Sequence, residues 1–244
     1  MNSTVQKKLL ICLALTLAAT AGASPGAGAA TDDTIRPFKA QFTAEWKSIA
    51  VASSDLALRP GPLPDQWIYT WRISARGIFR LVHSDDVVQT SWFDMNGAHV
   101  RPTRYEAHEG SAAVTLDFDW ETHRARGRSE GKPIDIGIQD STQDLLSIQI
   151  EIMQDLRNGV LPPRFSIVDK DEVKEFLYTR EGTARLRTAL GVLDTVVIAS
   201  QREGNNRILR MWFAPALGFT PVQAERSRDG KLEFAMRIKS LARP

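Results

Sequence analysis

The chain has 244 residues and a nearly balanced charge, with 31 lysines and arginines against 29 aspartates and glutamates. Two of the lysines, Lys7 and Lys8, lie in the first 23 residues, so the chain without that segment carries 29 charges of each sign. A neutral, mixed surface argues against nucleic acid as a partner, because nucleic-acid binding requires clustered basic residues. The single cysteine, Cys12, lies in the same segment, so the rest of the chain excludes disulfides, thiol catalysis and thiolate metal sites.

The first 23 residues have the pattern of a secretory signal peptide. Two lysines precede an apolar run over residues 9–21, and Ala21-Gly22-Ala23 offers a cleavage site, with a second at residues 27–29. The apolar run is shorter than the ~20 residues that a membrane-spanning helix requires. We therefore expect cleavage, a flexible leader over residues 24–37, and a periplasmic protein that does not span the membrane once processed. Full secretion is the alternative.

From Phe38 onward the chain alternates short apolar segments with turns, which predicts a single β-rich domain over residues 38–244. The predicted strands are Phe38–Trp46, Trp67–Ile73, Val87–Phe93, Arg101–Ala107, Ala112–Trp120, Arg124–Arg128, Arg164–Val168, Val173–Arg180, Ala184–Leu190, Leu193–Gln201, Arg207–Phe213, Pro221–Arg228 and Leu232–Ser240. Asp229-Gly230 predicts a hairpin between the last two. Because twist accumulates in a sheet of this size, we expect a large, strongly curved antiparallel sheet or an incomplete barrel.

One segment, at about residues 141–158, breaks the alternation and predicts an amphipathic helix. Apolar residues recur in it at helical spacing, at Leu145, Ile148, Ile152 and Leu156. Ser141 is the predicted N-cap, and Asn158-Gly159 supplies the stop. The apolar face of this helix must bury against the sheet, so we expect the helix to cover or plug the concave side.

Few residue patterns in the chain carry catalytic chemistry. Asp117 and Asp119 lie on one face of a predicted strand and could act as acid and base, or simply form an acidic outer face. No nucleophile elbow, phosphate loop or dinucleotide fingerprint is present, so we expect no cofactor and no catalytic residue. None of the histidines lies in a metal-binding pattern, so we expect solvated side chains and no metal site. They are His83, His99, His108 and His123.

Aromatic residues of the predicted strands are the candidate ligand-binding residues. On the concave face of a curved sheet they could line an apolar cavity for a lipid or acyl chain, or stack on a glycan. The alternative is simple filling of the core. The candidates are Trp67, Tyr69, Trp71, Trp120 and Trp212.

Four short motifs occur in order along the chain. They are FDW at Phe118–Trp120, QDLLS at Gln143–Ser147, LRTALGVLDTV at Leu186–Val196 and WFAPALGFTPV at Trp212–Val222. Together they resemble the bacterial exported family known as domain of unknown function 3108, over most of the chain from Phe38. That family has no established reaction, so the resemblance implies no catalytic residue. The strand–turn–Pro221-Val222 pattern is also similar to periplasmic lipoprotein carriers, which are half-barrels with a helical lid over an apolar cavity.

The sequence is compatible with three functions. The favoured hypothesis is a non-enzymatic periplasmic binding or envelope-maintenance protein that holds an apolar or amphipathic ligand on its concave aromatic face. The second is a structural or interaction module that bridges envelope proteins and has a solid core. The third is a hydrolase acting on glycan or lipid, which requires Asp117 and Asp119 to open into one pocket.

Overall fold

The computed structural model describes residues 35–81 and 84–244, which form one fifteen-stranded sheet and one α-helix. The predicted signal peptide and most of the predicted leader lie outside the described residues. The first eight strands are β1 Phe38–Trp46, β2 Ile49–Pro60, β3 Gln66–Ala75, β4 Val87–Asn96, β5 His99–Glu109, β6 Ala112–Asp119, β7 Arg124–Ser129 and β8 Lys132–Gly137. The others are β9 Gln143–Asp144, β10 Arg164–Asp169, β11 Glu172–Thr188, β12 Gly191–Arg202, β13 Arg207–Ala214, β14 Thr220–Arg228 and β15 Lys231–Ala242. The helix, α1, spans Ser147–Arg157, and short 3₁₀ helices span Gly77–Leu81 and Pro215–Leu217.

Two antiparallel meanders make up the sheet. Strands β1 to β8 follow one another outward in one direction, and β15 to β10 follow one another in the other. The first and last strands pair at the junction, from Lys39 opposite Ala242 to Trp46 opposite Phe234. The short strand β9 joins β10 in parallel, which leaves β8 and β9 as the two ends of an open sheet. This arrangement confirms the predicted mainly β fold with an incomplete barrel.

Strands β2, β8 and β11 depart from the sequence prediction. The sequence does not predict β2 because its core-facing residues include Ala52 and Ser54, whose small side chains leave little hydrophobic alternation to detect. It does not predict β8 either, which is only six residues long. Strand β11 runs unbroken through Glu181-Gly182, where a turn is predicted. A β-bulge shifts its pairing between Arg180 and Gly182, and glycine tolerates the φ of 127° at that point.

Two turns of the C-terminal meander, before and after β14, form as predicted. Asp229-Gly230 is the two-residue loop of the β14–β15 hairpin, with Arg228 opposite Lys231 and positive φ angles of 50° and 76° in the loop. The 3₁₀ helix between β13 and β14 ends at Gly218, where φ is 58°. Arg157, the last residue of α1, donates a hydrogen bond to the Gly218 carbonyl at 3.0 Å, so this turn is tied to the end of the helix.

Helix α1 is a plug inside the curve of the sheet, with nine of its eleven residues buried. It begins at Ser147, later than the predicted Ser141, because the preceding residues cross between the two meanders as β9. The Gln143 side chain donates to the Val100 carbonyl in β5 at 2.8 Å, which ties this crossing to the N-terminal meander. The helix ends at Asn158-Gly159 as predicted, where the Asn158 amide donates to the Gln154 carbonyl.

Candidate functional site

An apolar cavity of about 270 Å³ lies between the start of α1 and the inner face of the sheet. The helix side of its wall consists of Leu145, Leu146, Ile148 and Gln149. The sheet contributes Phe42, Leu56, Trp71, Ile167, Phe176, Tyr178, Ser200, Leu209, Met211, Pro221, Gln223, Ala224, Arg226, Phe234 and Met236. Most of these side chains are apolar, and Arg226 is the charged member of the set. Such a lining, with few polar groups, is typical of sites for small apolar or amphipathic ligands.

A small residue in the sheet accounts for the position of the cavity. Ala224 in β14 lies opposite Met211 in β13 and opposite Met236 in β15, and all three line the cavity. Larger side chains surround this point, but the Ala224 methyl group fills little of the volume beneath α1. The sheet therefore leaves a hollow where the helix begins.

The polar atoms near the cavity are hydrogen-bonded to protein partners. The Tyr69 hydroxyl donates to Gln149 Oε1, and Gln149 Nε2 lies 3.6 Å from Met211 Sδ. Trp71 Nε1 donates to Ser54 Oγ at 2.6 Å. Burial raises the pKa of both Tyr69 and Tyr178, so these phenols stay neutral. The cavity therefore offers a ligand mainly apolar surface, with its polar groups already satisfied.

A basic rim adjoins the cavity at Arg226. This rim, an open depression of about 440 Å³, is lined by Trp46, Lys47, Arg207, Arg226, Arg228, Asp229, Lys231, Leu232 and Glu233. Its five cationic side chains outnumber its two carboxylates. Glu233 Oε2 lies 3.4 Å from the Nε atoms of both Arg207 and Arg226 and holds these arginines together. An apolar interior next to a positive rim can accommodate an anionic amphiphile.

The structure places two of the five aromatic candidates at the cavity. Trp71 lines the cavity, and Tyr69 is fully buried and reaches the cavity wall through Gln149. Trp67, Trp120 and Trp212 are half-buried and pack against the core, but they are not among the residues that line the cavity.

The two carboxylates of the hydrolase hypothesis lie on an exposed face. Asp117 pairs with Arg104 at 2.9 Å, and Asp119 pairs with Arg126 at 2.8 Å. Hydrogen bonds from Thr122 hold the pKa of Asp119 at about 2, so it cannot serve as a general acid near neutral pH. Neither residue lines the cavity or the rim. The shared pocket that this hypothesis requires is not formed.

A buried carboxylate fixes the start of α1 next to the cavity. Asp144 Oδ1 accepts hydrogen bonds from the amides of Leu146 and Ser147, each at 2.7 Å, and Oδ2 accepts from the Ser91 hydroxyl at 2.6 Å. Burial raises the pKa of Asp144 to about 6 despite these bonds. Asp144 thus acts in place of the predicted Ser141 as the residue that caps the helix, and it joins the helix to β4.

A second polar cluster lies where α1 meets β5. Glu151 Oε1 is 2.8 Å from His99 Nδ1, and Glu151 Oε2 accepts a hydrogen bond from the Val100 amide at 2.6 Å. The bond to Glu151 raises the pKa of His99. Asp155, one turn along the helix, is 2% exposed, and burial together with the Glu151 charge raises its pKa to about 7. The i, i+4 spacing of the two carboxylates is the sequence signal for this cluster.

The prediction of solvated histidines therefore needs a correction at His99. Its side chain is 69% exposed, but its Nδ1 is bonded to a buried carboxylate. His108 and His123 are exposed, beside Glu106 at 3.9 Å and Asp140 at 3.5 Å respectively. His83 lies outside the described residues.

One of two similar solved structures shares this fold. A β-barrel-like protein of domain of unknown function DUF1849 from Brucella abortus is similar at a TM-score of 0.60 and 12% identity, covering 86% of this chain and 100% of that chain. A candidate lipoprotein from Parabacteroides distasonis reaches a TM-score of 0.38 and 8% identity, with 85% of this chain and 96% of that chain covered. The first likeness shows the fold alone, and the second is too weak to carry an argument.

Comparison with curated proteins gives no relative: no curated protein matches the chain. Along residues 35–81 and 84–244, no helix has the length and apolarity needed to cross a membrane.

The model of the family "Protein of unknown function (DUF3108)" matches residues 41–236, from within β1 to within β15, and confirms the resemblance carried by the four motifs. The chain therefore belongs to the DUF3108 family.

Proposed function

We propose that the protein is a non-enzymatic binding protein of the bacterial cell envelope, and that it holds a single-chain amphiphile with an anionic head group beneath α1. The observation that supports this proposal is an apolar cavity that shares Arg226 with a basic rim. The envelope location rests on the signal-peptide pattern of the first 23 residues and on the exported family that the motifs resemble.

The size of the cavity favours one short acyl chain. Its volume of about 270 Å³ is near the lower limit of ligand pockets, which span roughly 300–1,000 Å³. Each methylene group moved from water into such a cavity contributes about 0.8 kcal/mol. Affinity should therefore rise with chain length until the cavity is full and then level off.

The basic rim favours an anionic head group. Arg226 is the residue that both the cavity and the rim share, so a chain inside the cavity places its head next to this guanidinium. Lys47, Arg207 and Arg228 add positive charge around the same depression. Hydrogen bonds between arginine and a carboxylate or sulfate are charge-assisted and stronger than neutral ones.

Two of the aromatic candidates have roles in this proposal. Trp71 contacts the acyl chain directly, because it lines the cavity. Tyr69 acts through Gln149, whose side chain it holds at the cavity wall. The hollow beneath α1 does not favour the alternative of an interaction module with a solid core.

Binding of defined amphiphiles tests the proposal. Isothermal titration below the critical micelle concentration would compare dodecanoate with dodecyltrimethylammonium, and we expect 1:1 binding of dodecanoate. Ala224→Leu, which places a larger side chain in the space that the acyl chain would occupy, should abolish binding. Arg226→Gln should weaken dodecanoate binding by about 10-fold or more. The control is Lys239→Gln, which removes an exposed cation of β15 that lines neither the cavity nor the rim.

Two results would overturn the proposal. One is a wild-type protein that does not bind dodecanoate. The other is an Ala224→Leu variant that binds dodecanoate as tightly as the wild type does, because the ligand would then occupy another surface.

A further inference from the structure

Glu151 and Asp155 lie one turn apart on α1, against His99 at the start of β5. One nitrogen of His99 and one carboxylate oxygen from each of the other two all lie within 4.8 Å of one another. Across residues 35–81 and 84–244 this is the one group of three such side chains that meets this spacing. We infer that His99, Glu151 and Asp155 form a binding site for a divalent transition-metal ion of the Zn²⁺ or Mn²⁺ type.

An unsatisfied buried oxygen supports this site independently of the spacing. Asp155 is 2% exposed, and its Oδ2 atom has no hydrogen-bond partner. Within the described part of the chain the other such atom is Glu233 Oε2, which lies 3.4 Å from two arginine nitrogens. Buried carboxylate oxygens are normally paired or metal-bound, because leaving one unpartnered costs free energy. A cation next to Asp155 would satisfy this unpartnered oxygen.

The ligands are already held close to a binding geometry. The Val100 amide orients Glu151 through Oε2, which leaves Oε1 directed at His99 Nδ1, 2.8 Å away. Such an outer hydrogen bond is the usual way in which a protein orients a metal ligand. Metal–ligand bonds of roughly 2.0–2.2 Å place two ligands roughly 3.4 Å apart in a tetrahedral site. The side chains therefore need to move by only about 1 Å to surround an ion.

The donor set indicates the class of ion. One imidazole nitrogen and two carboxylate oxygens suit borderline dications such as Zn²⁺, Mn²⁺ and Fe²⁺. Three protein ligands leave at least one position for water. The 69% exposure of the His99 side chain provides an entry path from solvent.

The metal site is separate from the proposed amphiphile site. None of its three residues lines the cavity or the basic rim. A bound ion would join α1 to β5 further along the helix than its start, where the cavity lies. Loss of metal binding and loss of amphiphile binding can therefore be observed independently.

The experiment uses the full exported chain, freed of metal with a chelator and then dialysed. Titration calorimetry and elemental analysis would measure binding of Zn²⁺ and Mn²⁺ separately, and we expect one ion per chain for at least one of them. His99→Ala and Asp155→Asn should each weaken binding by about 100-fold or more. The matched control is His123→Ala, because His123 is also exposed and lies beside a carboxylate, Asp140, at 3.5 Å.

A second readout covers the possibility that Asp155→Asn alters folding. The bound ion should raise the melting temperature of the wild type and of His123→Ala but not that of His99→Ala, whose side chain is mostly exposed. The inference is wrong if the wild type binds neither ion at 1:1 stoichiometry. It is also wrong if His99→Ala and His123→Ala bind the ions with equal affinity.

Discussion

Two parts of α1 differ in what the fold places against them. At the start of the helix, Leu146, Ile148 and Gln149 line an apolar hollow. Further along, where the helix meets β5, Glu151 is buried and bonded to the backbone of the sheet, and Asp155 is buried next to it. Apolar packing is non-directional and would let a helix settle into any adjacent hollow, whereas buried hydrogen bonds specify one position. Polar anchoring in one part of α1 therefore allows the hollow at its start to stay open.

Removing the cap at the start of α1 should have the largest effect. Asp144→Ala leaves two helix amides and the Ser91 hydroxyl without their acceptor, so we expect a loss of about 3 kcal/mol or more in the free energy of unfolding. Urea unfolding would measure it. Asp144→Asn is the control, because its amide oxygen can still accept from the helix and should retain most of the stability. A loss below 1 kcal/mol for Asp144→Ala would contradict the anchoring role.

The pH dependence of stability should depend on the same residue. The Asp144 pKa is raised to about 6 from its ordinary 3.8, so the protonated folded state is favoured at low pH. The stability that the protonated Asp144 contributes to the folded state is complete below the ordinary pKa and is lost as the pH rises through about 6. Asp144→Asn should therefore gain stability relative to the wild type by a few kcal/mol between about pH 4 and pH 7. Unfolding curves at several pH values would show this, and parallel profiles for the two proteins would refute it.

Breaking the anchor on the β5 side should have an intermediate effect. Glu151→Ala leaves the buried Val100 amide without an acceptor, at a cost of about 1–3 kcal/mol. Glu151→Gln keeps an oxygen for that amide and should lose less. Hydrogen exchange would add a local measurement, because exchange of the Val100 amide should accelerate in Glu151→Ala. Unchanged protection there would mean that this contact does not hold the helix.

A larger side chain in the cavity should change the free energy of unfolding little. Ala224→Leu adds apolar atoms to a hollow rather than to a packed core, so we expect the free energy of unfolding to stay within about 1 kcal/mol of the wild type. Amphiphile binding should nevertheless be lost. A strongly destabilised variant would show that the space beneath α1 is packed in solution.

The exposed carboxylates should have the smallest effect. Asp117→Asn and Asp119→Asn each remove one solvent-exposed ion pair with an arginine, and exposed ion pairs contribute little to stability because water screens them. We expect no change in amphiphile binding for either variant in the calorimetric assay. Loss of binding in one of them would shift the site to the outer face of β6.

Much of the fold could be predicted from the sequence, because alternation and turn chemistry are local. Asp229-Gly230 predicts its hairpin correctly since the two-residue loop needs residues that tolerate positive φ. The start of α1 could not be predicted, because Gln143 and Asp144 are fixed by partners in β4 and β5 far away in sequence. Local spacing alone favours extending the helix through them.

The residues of the cavity and of the His99–Glu151 cluster could be predicted less well from the sequence. Trp71 stands out as an aromatic residue in an alternating strand, and it lines the cavity. Ala224 and Met211 could not be recognised, because their role depends on which strands lie side by side around the hollow. His99 and Glu151 are 52 residues apart, and the topology brings them together.

The most direct test of the central claim is native mass spectrometry of the intact protein purified from its native host. The wild type should carry one single-chain anionic amphiphile per chain, and Ala224→Leu should carry none. A wild-type protein without an adduct, and without uptake of added dodecanoate, would contradict the claim that the hollow beneath α1 is a ligand site.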